Sequence, residues 1–270
     1  MKKKKSKLPS LLMLLFGLLF LFSAFMALRI VVNGQMEQQT FDDLAESIKA
    51  APENEPSASV PDSDSEQLVE PEINETLCPY AVLKEQNPDF FGWLAIEGAE
   101  LNYPVMHTPD DPEYYLRRNF EEEASQSGVP FLSASCYEGC GNYLIYGHHM
   151  KSGAMFGSLL FYADRSYWQE HPTIRFDTFT ASGEYEVMAA FYSQVYTQDA
   201  SGVFRYYNYT DVSEAAVFEE YVEQVQSAAL YDTGISADYG EELLTLSTCS
   251  YHTENGRFVV VARKAADQGG

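Results

Sequence analysis

From position 8 to position 28 the chain carries 21 residues without a charge, mostly Leu, Phe and Met. As a helix rising 1.5 Å per residue, such a run reaches about 31 Å, one hydrocarbon core of a bilayer. It is longer than the ~7–15-residue apolar core of a signal peptide, and no clear small-x-small cleavage site follows it. A retained anchor is therefore expected over a cleaved signal. Past it, Met36, Phe41, Leu44 and Ile48 recur at helical spacing and predict a short amphipathic helix over residues 36–49. The periodicity then lapses. Residues 50–72 hold four Pro and seven acids with no Lys or Arg, a composition that predicts a disordered, self-repelling linker.

Apolar patterning resumes near Leu77. Residues 79–93 begin as a helix that Asn87-Pro88 breaks, and residues 94–103 predict a short strand pair around Glu97-Gly98. Residues 111–118 have helical character. Short β runs follow at residues 129–133, 142–146, 173–176, 184–196, 243–249 and 257–263. One amphipathic helix interrupts them: Val212, Ala215, Ala216, Phe218, Tyr221, Val222 and Val225 share a face, with Asp211 or Ser213 as its expected cap. Many closely spaced strands with one inserted helix predict a mostly β fold with added helices, closed or nearly closed into a barrel. There is no internal repeat.

Charge sharpens this division. The 270 residues hold 17 Lys+Arg and 40 Asp+Glu. Six of the basic residues (Lys2, Lys3, Lys4, Lys5, Lys7 and Arg29) precede position 33, and no acid precedes Glu37. The basic cluster ahead of the apolar run predicts a cytoplasmic N-terminus, with everything after about Val32 outside. The expected organisation is a basic segment at residues 1–7, a transmembrane anchor at 8–32, an acidic Pro/Ser-rich spacer at 33–76 and a folded domain at 77–270. So acidic a domain is a poor partner for nucleic acid, whose phosphates need a basic face. Four Cys in this length exclude a disulfide-built miniprotein.

The candidate chemistry lies on the last two β runs. Leu243-Leu244-Thr245-Leu246-Ser247-Thr248-Cys249 reads as a buried strand ending in Cys. After a loop with Asn255-Gly256 as its turn signal, Arg257-Phe258-Val259-Val260-Val261-Ala262-Arg263 returns as a second strand. Paired as a hairpin, the two bring Cys249 and Arg257 together at its open end. A guanidinium there favours thiolate and can hold an oxyanion. A nucleophilic Cys also needs a proton partner. His148 and His149 follow a strand and Gly147, a placement that presents side chains into a groove. On these residues alone, Cys–His–Arg chemistry stands beside the reading of Cys249 as an inert buried thiol.

Thr245-Leu246-Ser247-Thr248-Cys249 followed by Arg257-Phe258-Val259-Val260-Val261 resembles the active-site signature of sortases, the cell-wall transpeptidases of Gram-positive bacteria. Asn142-Tyr143-Leu144-Ile145-Tyr146-Gly147-His148-His149-Met150, then Met155-Phe156-Gly157, is similar to the histidine segment of class B sortases. Asn87-Pro88-Asp89 with Gly92-Trp93, and Asn102-Tyr103-Pro104-Val105, match the same class, as does a helix inserted before the Cys strand. The likeness covers about Cys78 to Lys264, with the motifs in order.

This resemblance implies a sortase-like closed β-barrel with N-terminal helices, preceded by one transmembrane helix. It implies that Cys249 is the nucleophile attacking the Thr carbonyl of a sorting signal, that His148 is the acid–base residue and that Arg257 stabilises the oxyanion. The implied partners are a sorting-signal-bearing surface protein and a peptidoglycan precursor amine that resolves the thioester, with no cofactor or metal. A pilin-polymerising sortase using a Lys amine, a plain cysteine peptidase and a non-catalytic barrel binding wall or protein ligands are the alternatives. Ordinary Cys and His are mostly thiol and neutral imidazole at neutral pH, which predicts slow turnover.

Other residues receive plainer readings. Some class B members carry an acid two positions after the Cys, where this chain has Tyr251, so no carboxylate is assigned to orient His148. Ser247 is read equally as a substrate contact or a strand filler. His149 is expected to point away from His148 along an extended chain, and His252 to be exposed in the hairpin loop. Cys136 and Cys140 have no standard zinc-site spacing with the downstream His residues; a disulfide between them and two free thiols are both open, with Cys78 left over.

Overall fold

A computed structural model describes residues 8–49, 79–99 and 101–266. The expected linker at residues 50–72 lies outside them. Two compact units divide near Asp42.

The anchor and the expected amphipathic helix are one element, α1 (Leu8–Lys49), most of which lies in the N-terminal unit. The expected boundary at residue 33 leaves no break in the helix: Asn33-Gly34 is a turn signal there, but no Pro follows it and the helix continues through it. Phe16, Phe20, Leu21 and Phe22 are exposed along it. It is long and apolar enough to cross a membrane.

The second unit is a closed eight-stranded barrel. After α2 (Ala81–Gln86), which ends at Asn87 as the Asn-Pro pair predicts, the strands are β1 (Phe90–Ile96), β2 (Leu101–Met106), β3 (Phe131–Leu132), β4 (Asn142–Gly147), β5 (Thr173–Thr178), β6 (Glu184–Gln194), β7 (Leu243–Cys249) and β8 (Gly256–Lys264). Their order around the barrel is β1-β2-β3-β4-β7-β8-β6-β5, closed by β5 on β1. All pairs are antiparallel except β2–β3 and β4–β7. Closure removes the free sheet edges that would otherwise invite pairing with another chain.

The helical character expected at residues 111–118 is a 3-10 turn, Tyr114–Arg117. Two helical pieces carry no strong sequence signal: the 3-10 segment Phe156–Ala163 and α3 (Arg165–Glu170). The 3-10 segment packs on β6, β7 and β8, and successive residues of β7 and β8, on both faces of the strands, are buried. That is why β7 and β8 read as nearly unbroken apolar runs.

The inserted helix is α4 (Ala215–Ala228), which buries Phe218, Tyr221, Val222 and Val225. Its cap differs from the expected Asp211 or Ser213. Glu214 is the N-cap and makes no side-chain cap bond, while Asp211 Oδ1 accepts from the Ser213 N–H at 3.1 Å, a turn that ends before the helix begins.

Candidate active site

Three strands bring the expected residues to one end of the barrel. Antiparallel β7 and β8 place Cys249 and Arg257 as direct cross-strand partners. The turn between them holds Asn255 at φ 53 with Gly256 after it, as the Asn-Gly signal predicts. Parallel β4 lies on the other side of β7, with Gly147 opposite Thr248, and Thr248 Oγ1 donates to the Gly147 carbonyl at 2.8 Å. His148 therefore emerges one residue beyond the last paired position, level with Cys249. Cys249, His148 and Arg257 are all partly exposed at this rim.

Gly147 is required by a close approach. A Cβ there would lie 2.6 to 2.8 Å from the Phe156 ring. Phe156 cannot easily withdraw, since its N–H donates to the His148 carbonyl at 2.9 Å. A short loop thus folds the chain back on the end of β4 and fixes where both histidines leave the strand.

The His148 ring is oriented by a backbone group. Nε2 lies 2.8 Å from the Leu116 carbonyl oxygen, at the 3-10 turn. A carbonyl only accepts, so Nε2 carries the proton and Nδ1 is the basic atom of the neutral ring. Burial holds the imidazole pKa below the ordinary histidine value; the Leu116 bond opposes this and nearby Arg117 adds to it. Leu116 thus fills the orienting place for which the sequence offers Tyr251 instead of an acid. Tyr251 itself is 73% exposed.

His149 points elsewhere, as expected of an adjacent residue in extended chain. Its Nδ1 lies 3.1 Å from the Cys249 carbonyl, which makes that nitrogen a donor to the backbone of the thiol-bearing residue. The exposed His252 is turned to Ser250 Oγ at 2.9 Å. Arg257 Nη1 donates to the Gly256 carbonyl at 3.0 Å, which leaves other donors of the guanidinium uncommitted by that bond.

The face of β7 that carries Cys249 is lined by hydroxyls. Thr245 and Ser247 precede it at alternate positions, on the same side. Tyr221 of α4 bonds Thr245 through hydroxyls 2.6 Å apart, and Thr245 Oγ1 donates to Asn142 Oδ1 at 2.8 Å. The Tyr206 and Ser247 hydroxyls are 2.7 Å apart. Ser247 and Tyr206 are each 1% exposed, so this hydroxyl pair is closed off from solvent. The Tyr206 phenol, pushed up to about 12 by burial, feels both the Arg257 cation and Cys249. Tyr206 thus belongs to the thiol's surroundings. Sequence reasoning did not single it out, although the aromatic run Phe204, Tyr206, Tyr207 and Tyr209 was the available signal.

Among the described residues, no cluster of three or more His, Cys, Asp and Glu side chains is arranged to hold a metal ion. What the rim offers is a thiol beside a fixed cation, one strand away from an imidazole with its basic nitrogen unbound.

The chain is similar to known proteins over this same region. The sortase-domain family model matches residues 94–265. Sortase B of Listeria monocytogenes is 31% identical over 185 residues, which cover 66% of this chain and 70% of the relative. Sortase B of Staphylococcus aureus is 27% identical over 185 residues, covering 67% and 72%. The crystal structure of sortase B from B. anthracis in complex with AAEK1 superposes with a TM-score of 0.59 at 28% identity, covering 69% of this chain and 84% of that one.

Proposed function

The chain belongs to the sortase family, as a class B cysteine transpeptidase, and from that premise we propose that it cleaves a C-terminal sorting signal after Thr and joins the surface protein to a peptidoglycan amine. The observation that carries this reading is the pairing of Cys249 with Arg257 across β7 and β8, with His148 at the end of the adjoining β4.

Cys249 gives its proton to His148 Nδ1 and attacks the Thr carbonyl. Arg257 faces the oxyanion with the donors that Gly256 does not use. The imidazolium passes its proton to the departing amine, the C–N bond breaks, and a thioester remains. Burial disfavours the imidazolium, so His148 is a stronger acid toward the leaving group than an ordinary histidine. An incoming amine then gives a proton to His148, forms the new amide and releases Cys249. Ser247, buried with Tyr206, contributes to substrate binding only indirectly, by holding the Tyr206 hydroxyl on the face of β7 that carries Cys249. Residues 77–270 form the catalytic domain, the spacer at 33–76 separates it from the anchor at 8–32, and residues 1–7 stay in the cytoplasm with the domain outside.

The full chain in detergent, given a panel of quenched sorting-signal peptides with and without an amine, tests this. One motif should be cleaved, with an amide product when the amine is present. Cys249→Ala should abolish cleavage, and His148→Ala and Arg257→Ala should each lower kcat/KM by about a hundredfold or more. Cleavage that survives in Cys249→Ala would sink the mechanism. Hydrolysis undiverted by any amine favours the peptidase, and a preference for a pilin Lys over peptidoglycan amines favours the polymerising alternative.

A further inference from the structure

The turn leading into β4 holds two thiols that the transpeptidation does not use. Cys136 and Cys140 are 2% and 1% exposed. Their sulfurs converge on one acceptor, since Cys136 Sγ is 3.5 Å and Cys140 Sγ 3.4 Å from the Asn142 carbonyl oxygen. Cys136 Sγ also accepts from the Leu144 N–H at 3.4 Å, which holds it beside the start of β4. The backbone produces this approach. The Cys140 N–H donates to the Tyr137 carbonyl at 3.0 Å, and Gly139 takes φ 81 inside the turn.

Two sulfur atoms gathered on one carbonyl oxygen by a closed turn have little conformational entropy left to lose on bonding. We propose that Cys136 and Cys140 form an intramolecular disulfide when the folded chain meets a disulfide oxidant, such as oxidised glutathione or an extracytoplasmic thiol–disulfide oxidoreductase.

The exchange balances in two steps. The Cys140 thiolate attacks one sulfur of the oxidant and expels the other as a thiolate, leaving a mixed disulfide. Cys136 then loses its proton, attacks Cys140 Sγ and expels the oxidant's second sulfur. The chain gives up two electrons and two protons, and the oxidant becomes two thiols. Cys140 is suited to attack first, because the neighbouring Cys136 holds its pKa down at about 7, while Cys140 and burial push Cys136 up. The oxidant reaches the pair by opening the turn, whose tip is already at the surface: Tyr137 is 52% exposed, and Glu138 and Gly139 are exposed beside it.

The bond would clip the base of the site. The Cys140 carbonyl accepts from the Val212 N–H ahead of α4, and the Gly141 carbonyl from the Leu243 N–H at the start of β7. The clipped turn therefore anchors β4, β7 and the segment leading to α4, two of which run to His148 and Cys249.

A digest tests the pairing, because Glu138 lies between the two cysteines. The full-length Cys249→Ala chain, which lacks the catalytic thiol, is equilibrated with oxidised glutathione, alkylated in denaturant and cut by a glutamyl endopeptidase. The fragments bearing Cys136 and Cys140 should remain joined, two hydrogens lighter than the dithiol, and separate on adding reductant. In Cys249→Ala with Cys140→Ala, Cys136 should instead carry the alkyl label or glutathione. Alkylation of both cysteines in the parent, stable glutathione adducts on both, or a bond from either to Cys78 would each overturn the proposal.

Discussion

His148 shows how a single side chain acquires its chemistry from a partner that sequence cannot display. The Leu116 carbonyl fixes the ring and its tautomer, and burial favours the uncharged form. Any residue type at position 116 would supply that carbonyl, so no motif announces it. The sign of the pH effect follows. The folded pKa lies below the unfolded value of about 6.5, so between the two the unfolded chain binds more protons. Stability is unaffected above that window and falls as pH drops through it. His107 is lowered by burial in the same direction, but it is common to parent and variant and cancels in their comparison. Urea midpoints at neutral and mildly acid pH should therefore show a larger acid loss in the parent than in His148→Gln. Equal losses would mean that the histidine titrates like an exposed one. In the parent, the His148 ring signals should titrate below the ordinary histidine midpoint.

At the level of elements, the site was legible wherever a strand carried its own pattern. β7 matches residues 243–249 end for end, and β8 starts one residue before the expected Arg257 and ends one past Arg263. Cys249 and Arg257 could be paired from the chain alone, because a hairpin turn fixes register. The parallel neighbour β4 was a different matter. Nothing local says that a strand some hundred residues earlier lies beside β7; the strand end at Gly147 marked both His148 and His149 as candidates, and the choice of His148 came through the family likeness. The 3-10 segment Phe156–Ala163 escaped for a related reason: its residues are buried on several sides, so no single apolar stripe marks it. Yet that segment decides why glycine precedes His148. In Gly147→Ala the methyl meets the Phe156 ring inside contact distance, and relief requires moving the ring or the end of β4. The expected cost is about 1–3 kcal/mol of stability, with kcat/KM falling further than stability alone explains because His148 is displaced. Adding Phe156→Leu should recover part of both. Undiminished activity in the single variant would show that the ring does not set the histidine's position.

Over the whole molecule, the uncharged N-terminal stretch and the charged remainder suit different surroundings. α1 runs for 42 residues, about 63 Å of helix and roughly twice the hydrocarbon thickness of a bilayer. Its uncharged stretch is confined to the N-terminal half, while Glu37, Asp42, Asp43 and Glu46 occupy the other. Only the first half suits lipid, so the second half should stand clear of the bilayer, and the acidic balance of the rest of the chain favours solubility. An Arg at the middle of the uncharged stretch costs about 2.5–3.5 kcal/mol of insertion. Leu18→Arg should therefore shift the protein from the membrane pellet into the alkali-soluble fraction. A short peptide substrate reaches the barrel without the membrane, so that variant should keep its kcat/KM, whereas attachment of a membrane-delivered surface protein should fall. The basic cluster at the N-terminus adds a direction. Protease added to intact protoplasts should degrade the barrel and spare an N-terminal tag. A protected barrel with a degraded tag would reverse the topology and place Cys249 on the side of the membrane where no cell-wall amine could meet it.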